Sequence, residues 1–222
     1  FNDIGCYGNT HVRTPNIDRL ASQGMRFEQA FTATAMCSPT RQQLYTGLYP
    51  IRNGAYPNHS EIRPGIRTLP AYLKDLGYRV GLAGKKHFGP ADAYPFEAVG
   101  AANELDAQAI AEFIRRDSGQ PFCLVVCSHE PHEPHDKGDP ARYGLMDIRM
   151  SPNWVDTPAF REHMRKYYAE IEYLDGEVGK CLDSLEKSGK AGNTLVYFNS
   201  EQGAGVPFAK WTLYDQGVRE GV

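Results

Sequence analysis

The stretch Leu69-Pro70-Ala71-Tyr72-Leu73-Lys74-Asp75-Leu76-Gly77-Tyr78-Arg79-Val80-Gly81-Leu82-Ala83 carries a helix and a strand joined by one glycine. Leu69 to Leu76 reads as a helix that Gly77 ends, and Tyr78 to Ala83 reads as a strand. The same order returns downstream. Asn103 to Arg116 places Leu105, Ala109, Ile110 and Phe113 at a helical period and precedes the apolar strand Phe122 to Ser128. Thr157 to Ser188 reads as a long helix bent at its glycines, followed by a further buried strand from Thr194 to Asn199. Apolar strands separated by helices predict an α/β fold, with a mostly parallel central sheet covered by helices on both faces. Upstream, Thr14 is expected to cap a helix that has Pro15 in its first turn and Gly24 at its end, and Met25 to Thr32 is a short strand. No repeat or low-complexity linker interrupts the pattern, so residues 1–222 are read as one domain.

Composition narrows the function classes. The net charge is −3 with acids and bases interspersed, and no basic patch speaks for nucleic acid. The longest apolar run, Phe122 to Cys127, is far too short to span a bilayer. Five cysteines, widely spaced and odd in number, imply no disulfide framework. Cys123 and Cys127 share one strand face, which reads as core rather than metal ligation.

Chemistry concentrates first in Cys37-Ser38-Pro39-Thr40-Arg41-Gln42-Gln43-Leu44-Tyr45-Thr46-Gly47. Pro39 suits a first helical turn, which places Cys37 at or just before a helix N-terminus, where unpaired N–H groups favour an anion. Arg41 lies one turn further on the same face, where its guanidinium can fork onto an oxyanion beside the thiol. A lone cysteine is more often packing than chemistry; this combination describes a site for a tetrahedral oxyanion ester.

Other polar clusters follow the strands, where open α/β sheets place ligands. Gly84-Lys85-Lys86-His87-Phe88-Gly89-Pro90 follows the first strand, with a solvated loop as its plain alternative. Ser128-His129-Glu130-Pro131-His132-Glu133-Pro134-His135-Asp136 follows the next; its prolines exclude a helix face, and its histidines suit zinc. Ser200-Glu201-Gln202-Gly203 offers hard oxygens suited to Ca²⁺ or Mg²⁺.

Taken in order, these runs resemble the sulfatases, enzymes of an alkaline-phosphatase-like fold. The Cys37 run is similar to their C-x-P-x-R signature, Gly84-Lys85-Lys86-His87 to G-K-x-H, and His132 to the histidine of x-P-H-x-P. Ser200-Glu201-Gln202-Gly203 stands where the family has S-D-[HNQ]-G, and Lys210 matches the lysine of the element after it. Asp3-Ile4-Gly5-Cys6-Tyr7-Gly8-Asn9 and Thr14-Pro15-Asn16-Ile17-Asp18-Arg19-Leu20 also read like the start of a sulfatase.

The resemblance implies a sulfuric ester or sulfamate hydrolase. A separate maturation enzyme would oxidise Cys37 to formylglycine, the nucleophile. Arg41, Lys85, His87, His132 and Lys210 would act on the same sulfate, with Glu201, Gln202 and the modified Cys37 around Ca²⁺ or Mg²⁺. Two departures stand out: the family's Asp-Asp metal pair would lie upstream of Phe1, on a first strand missing from these residues, and Glu201 replaces the usual aspartate. Lys86, Phe88 and Tyr94-Pro95-Phe96 resemble the N-sulfoglucosamine sulfohydrolases, which implies a sulfated glycan as substrate, with His59 as a sugar contact and a periplasmic, secreted or lysosomal setting. The alternatives are a phosphonate or phosphate monoester hydrolase of the same superfamily, a non-catalytic anion-binding homologue, and a zinc protein built on His129, His132 and His135.

Overall fold

The computed structural model describes residues 1–117 and 119–222. In chain order the elements begin with α1 (Pro15–Gln23), β1 (Ala30–Phe31), α2 (Cys37–Thr46), α3 (Pro50–Asn53) and α4 (Leu69–Asp75). Next come β2 (Arg79–Gly84), β3 (Glu97–Ala102), α5 (Ala107–Arg115) and β4 (Phe122–Cys127). The chain closes with α6 (Pro158–Lys187), α7 (Asp215–Val218) and β5 (Arg219–Glu220). These group into two compact units: Thr32–His129 with Cys181–Val196, and Phe1–Phe31 with Glu130–Lys180 and Tyr197–Val222.

The first of these units holds a parallel sheet in the order β3-β2-β4. Val80 and Leu82 of β2 are in register with Cys123 and Val125 of β4, so these side chains share a face by the two-residue alternation of strands. Helices cover both sides. On one, Ile110, Phe113 and Ile114 of α5 and Leu185 of α6 pack with Ala83, Leu124 and Val126. On the other, Tyr45 of α2 packs with Ile62, Tyr94, Phe88 and Val125, and the Tyr45 hydroxyl lies 3.6 Å from Cys127 Sγ. Burying a side chain such as Phe113 stabilises by about 2–3 kcal/mol. Cys123 and Cys127, expected in the core, are half-buried and stand in none of the core clusters among the described residues; β3 was not anticipated.

In the other unit, β1 and β5 form a two-residue antiparallel ladder. Met164, Tyr167, Tyr168 and Ile171 recur at three- and four-residue steps along α6 and pack with Val12, Tyr143 and Val206. One turn beyond Ile171, the buried Asp175 carboxylate accepts from the backbone N–H groups of Asn16 and Ile17.

Three local expectations are corrected. Thr14 does sit before α1, but its side chain makes no cap hydrogen bond; its hydroxyl accepts from Gly5 N and bonds Asp18, and Asp175 satisfies the helix start instead. Of Met25 to Thr32, only Ala30 and Phe31 pair, because β5 is just two residues long. Thr194 to Asn199 joins no ladder among the described residues, and Leu195 is 92% exposed. No described helix is long and apolar enough to cross a membrane.

Candidate active site

Cys37 is the first residue of α2 and is buried, after an extended Met36. Proline at the third helical position needs no amide partner, which lets the helix begin here. One turn along, the buried Arg41 guanidinium donates to the Lys85 carbonyl at 3.3 Å, joining the first two motifs physically. Lys85 is itself buried and donates its backbone N–H to the Cys127 carbonyl at 2.9 Å. Gly84 makes that junction possible: its φ is +82°, and a Cβ there would lie 2.1 Å from the Cys127 oxygen.

His87 follows at the same strand end, and its Nε2 lies 2.9 Å from Nδ1 of His59. The Asn58 amide nitrogen is 3.0 Å from His59 Nε2; donation from that amide makes His59 Nδ1 the N–H donor and His87 Nε2 the acceptor. Both histidines have positive φ, 63° at His59 and 50° at His87, a conformation rare for residues with a Cβ and concentrated at functional sites. Sequence reading missed the residue that supports both loops. Gln42 is fully buried; its amide nitrogen donates to Ser38 Oγ and to the Ser60 carbonyl, and its Oε1 accepts from Gly89 N and Tyr94 OH.

The other unit contains the remaining predicted residues. Lys210 Nζ is 3.4 Å from His132 Nε2. His132 Nδ1 lies 2.8 Å from the Glu133 carbonyl, which can only accept, so the proton sits on Nδ1 and Nε2 presents a lone pair to the Lys210 ammonium. Glu201 and Gln202 lie in a loop locked at both ends: Ser200 N donates to the Gly221 carbonyl and Gly203 N to the Gly217 carbonyl. Gly203 is required there, since a Cβ would meet the Gln216 oxygen at 1.9 Å.

Glu220 is a further carboxylate the sequence did not single out. It is buried, its Oε1 has no hydrogen-bond partner, and burial together with the charge of Glu201 pushes its carboxyl up to about 8. Two carboxylates crowded with an unsatisfied buried oxygen fit a hard cation. Of the histidines suggested for zinc, only His135 belongs to a group of metal-type donors among the described residues, with Glu133 and His163 rather than His129 and His132.

Cys37 and Arg41 on α2, with Lys85 and His87 just past the end of β2, sit on an α/β fold of the alkaline-phosphatase-like kind. The family model described as Sulfatase matches residues 1–108 and 94–221, and the chain belongs to the sulfatase family. It is 33% identical to the ulvan-active sulfatase of Formosa agariphila over 98% of this chain and 44% of that protein. It is 30% identical to human N-sulphoglucosamine sulphohydrolase over 98% of this chain and 51% of that enzyme. The chain thus spans about half the length of these curated relatives. A putative sulfatase yidJ structure from Bacteroides fragilis superposes with a TM-score of 0.83 at 24% identity, covering 99% of this chain and 64% of that one; this likeness speaks for the fold.

Proposed function

We propose that this chain carries the catalytic residues of a sulfatase that removes sulfate, as an O-ester or a sulfamate, from a sulfated glycan. The carrying observation is the hydrogen bond from Arg41 to the Lys85 carbonyl, beside a buried cysteine at a helix start. That arrangement joins two motifs from distant sequence around the groups that bind an oxyanion. Relatives named for ulvan and for N-sulphoglucosamine support a glycan substrate. The same kinship supports a periplasmic, secreted or lysosomal setting.

In this reading a maturation enzyme converts Cys37 to formylglycine, whose hydrate supplies the hydroxyl that attacks sulfur. Arg41 and Lys85 neutralise sulfate oxygens, and His87, once its Nε2 lone pair is released from His59, takes the proton from the attacking hydroxyl on that nitrogen. His132 and Lys210 give a proton to the departing sugar oxygen or nitrogen; the lone pair on His132 Nε2 receives its proton from Lys210 or from water. Glu201, Gln202 and Glu220 would hold Ca²⁺ or Mg²⁺, a cation that would polarise the S–O bond when bound.

The test is co-expression with a formylglycine-generating enzyme, mass spectrometry of the Cys37 peptide, and release assays on O-sulfated, N-sulfated and phosphorylated substrates. An aldehyde at Cys37 and sulfate release that Cys37→Ala abolishes are expected. A retained thiol, or Cys37→Ala turning over at the wild-type rate, overturns the reading. Preferential phosphate release would favour a phosphate or phosphonate esterase instead.

A further inference from the structure

His135 has no part in the reaction above, yet it is built into a donor cluster. We propose that Glu133, His135 and His163 form a second metal site, for a zinc-class divalent cation. Each of the three offers one ligand atom, and these atoms all lie within 4.8 Å of one another. Glu133 Oε1 is 3.8 Å from His163 Nε2. Ligand atoms on tetrahedral zinc sit about 3.3 Å apart, so this pair closes by about 0.5 Å on binding. Glu133 allows that movement, because its side chain is largely exposed and it belongs to a loop.

The chemistry behind His135 is what sets the cluster apart from a chance grouping. His135 Nδ1 is 2.7 Å from Glu170 Oε2, and the Glu170 side chain is fully buried. Oε1 of the same carboxylate accepts from the backbone N–H groups of Asp136 and Lys137. Glu170 therefore anchors the loop and fixes the ring, accepting from Nδ1–H and leaving Nε2 as the nitrogen with a lone pair. A carboxylate behind a ligating imidazole orients it and raises its basicity. His163, on α6, stands with its ring 5.1 Å from that of His135. Two imidazoles and one carboxylate favour Zn²⁺, Co²⁺, Ni²⁺ or Cu²⁺ over Ca²⁺ or Mg²⁺, and three protein ligands leave a position for water or a ligand oxygen. This set is chemically distinct from the hard-oxygen set of Glu201, Gln202 and Glu220, and its metal preference is different.

The full chain, stripped with a chelator, is titrated with Co²⁺ by visible absorption and with Zn²⁺ by calorimetry. One equivalent is expected to bind in the micromolar range or tighter with a tetrahedral Co²⁺ band. His163→Ala and Glu133→Gln, both at partly exposed side chains, are expected to weaken binding at least about tenfold and remove that band. Glu201→Gln is expected to leave both unchanged. Wild-type protein that binds neither metal, His163→Ala that titrates like wild type, or loss of the band in Glu201→Gln alone would each overturn the proposal.

Discussion

Gln42 and Ser60 are joined by a 2.8 Å hydrogen bond from a fully buried side-chain amide to the carbonyl next to His59. The oxygen of the same amide accepts from Gly89 N, just beyond His87. One side chain therefore holds the signature helix to the loops that carry both histidines.

Gln42→Leu keeps the volume but leaves the Ser60 carbonyl and the Gly89 N–H without this partner. Each such buried orphan costs about 1–3 kcal/mol, so the melting temperature is expected to fall by roughly 5–10 °C. Turnover per folded molecule is expected to fall as well, because His59 and His87 lose their shared support. An unchanged melt would show that the loops are held elsewhere. Gln42→Glu separates the two losses: it keeps the Oε1 acceptor but not the donor.

Asp175 caps α1 from a different helix. Asp175→Ala strips the Asn16 and Ile17 amides of their acceptor, with an expected loss of about 2–3 kcal/mol, charge-assisted bonds being the stronger kind. Asp175→Asn retains an acceptor and is expected to lose less. Urea midpoints measure both; equal midpoints for the two variants would remove charge from the account.

Gly84→Ala places a methyl on the Cys127 carbonyl at a positive φ. Strain of about 1–2 kcal/mol adds to a backbone clash that β2 and β4 relieve only by separating. Poor recovery of folded protein is expected, and near-native circular dichroism with an unchanged melt would contradict it.

Burial pushes the Cys123 thiol up. At pH 8 its thiolate fraction is small, so iodoacetamide is expected to label it slowly in native protein and promptly in denaturant. Peptide mapping over time gives both rates, and equal rates would mean that the β4 edge opens freely.

Local spacing made part of this molecule legible. Pro39 and Arg41 place themselves relative to Cys37 within one helical turn, and the structure keeps that relation. α5 and β2 likewise announce themselves through period and glycine. What stayed hidden is long-range. Gln42 is an ordinary helix residue until Ser60 and Gly89 arrive beside it. Glu220, between Arg219 and Gly221, has no local signature; only its crowding with Glu201 marks it. β3 is rich in alanine and glycine, and of its residues only Val99 is buried, so its pattern does not alternate. Thr194 to Asn199 errs the other way: its β propensity is strong, yet it joins no ladder among the described residues.

The carboxylate that caps α1 lies 158 positions after Ile17. At ribosomal speeds of about 5–20 residues per second, the helix start waits on the order of ten seconds or more for it. Residues Thr32–His129 emerge meanwhile as one uninterrupted run, with the sheet's three strands already among them. Birth order and folding order are therefore expected to be inverted for these segments: α1 leaves the ribosome before the sheet and settles after it. Proteolysis of stalled nascent chains would detect this as cleavage near α1 in chains halted before Asp175 but not after its release. Until then α1 stands without the acceptor for its first amides, open to a chaperone.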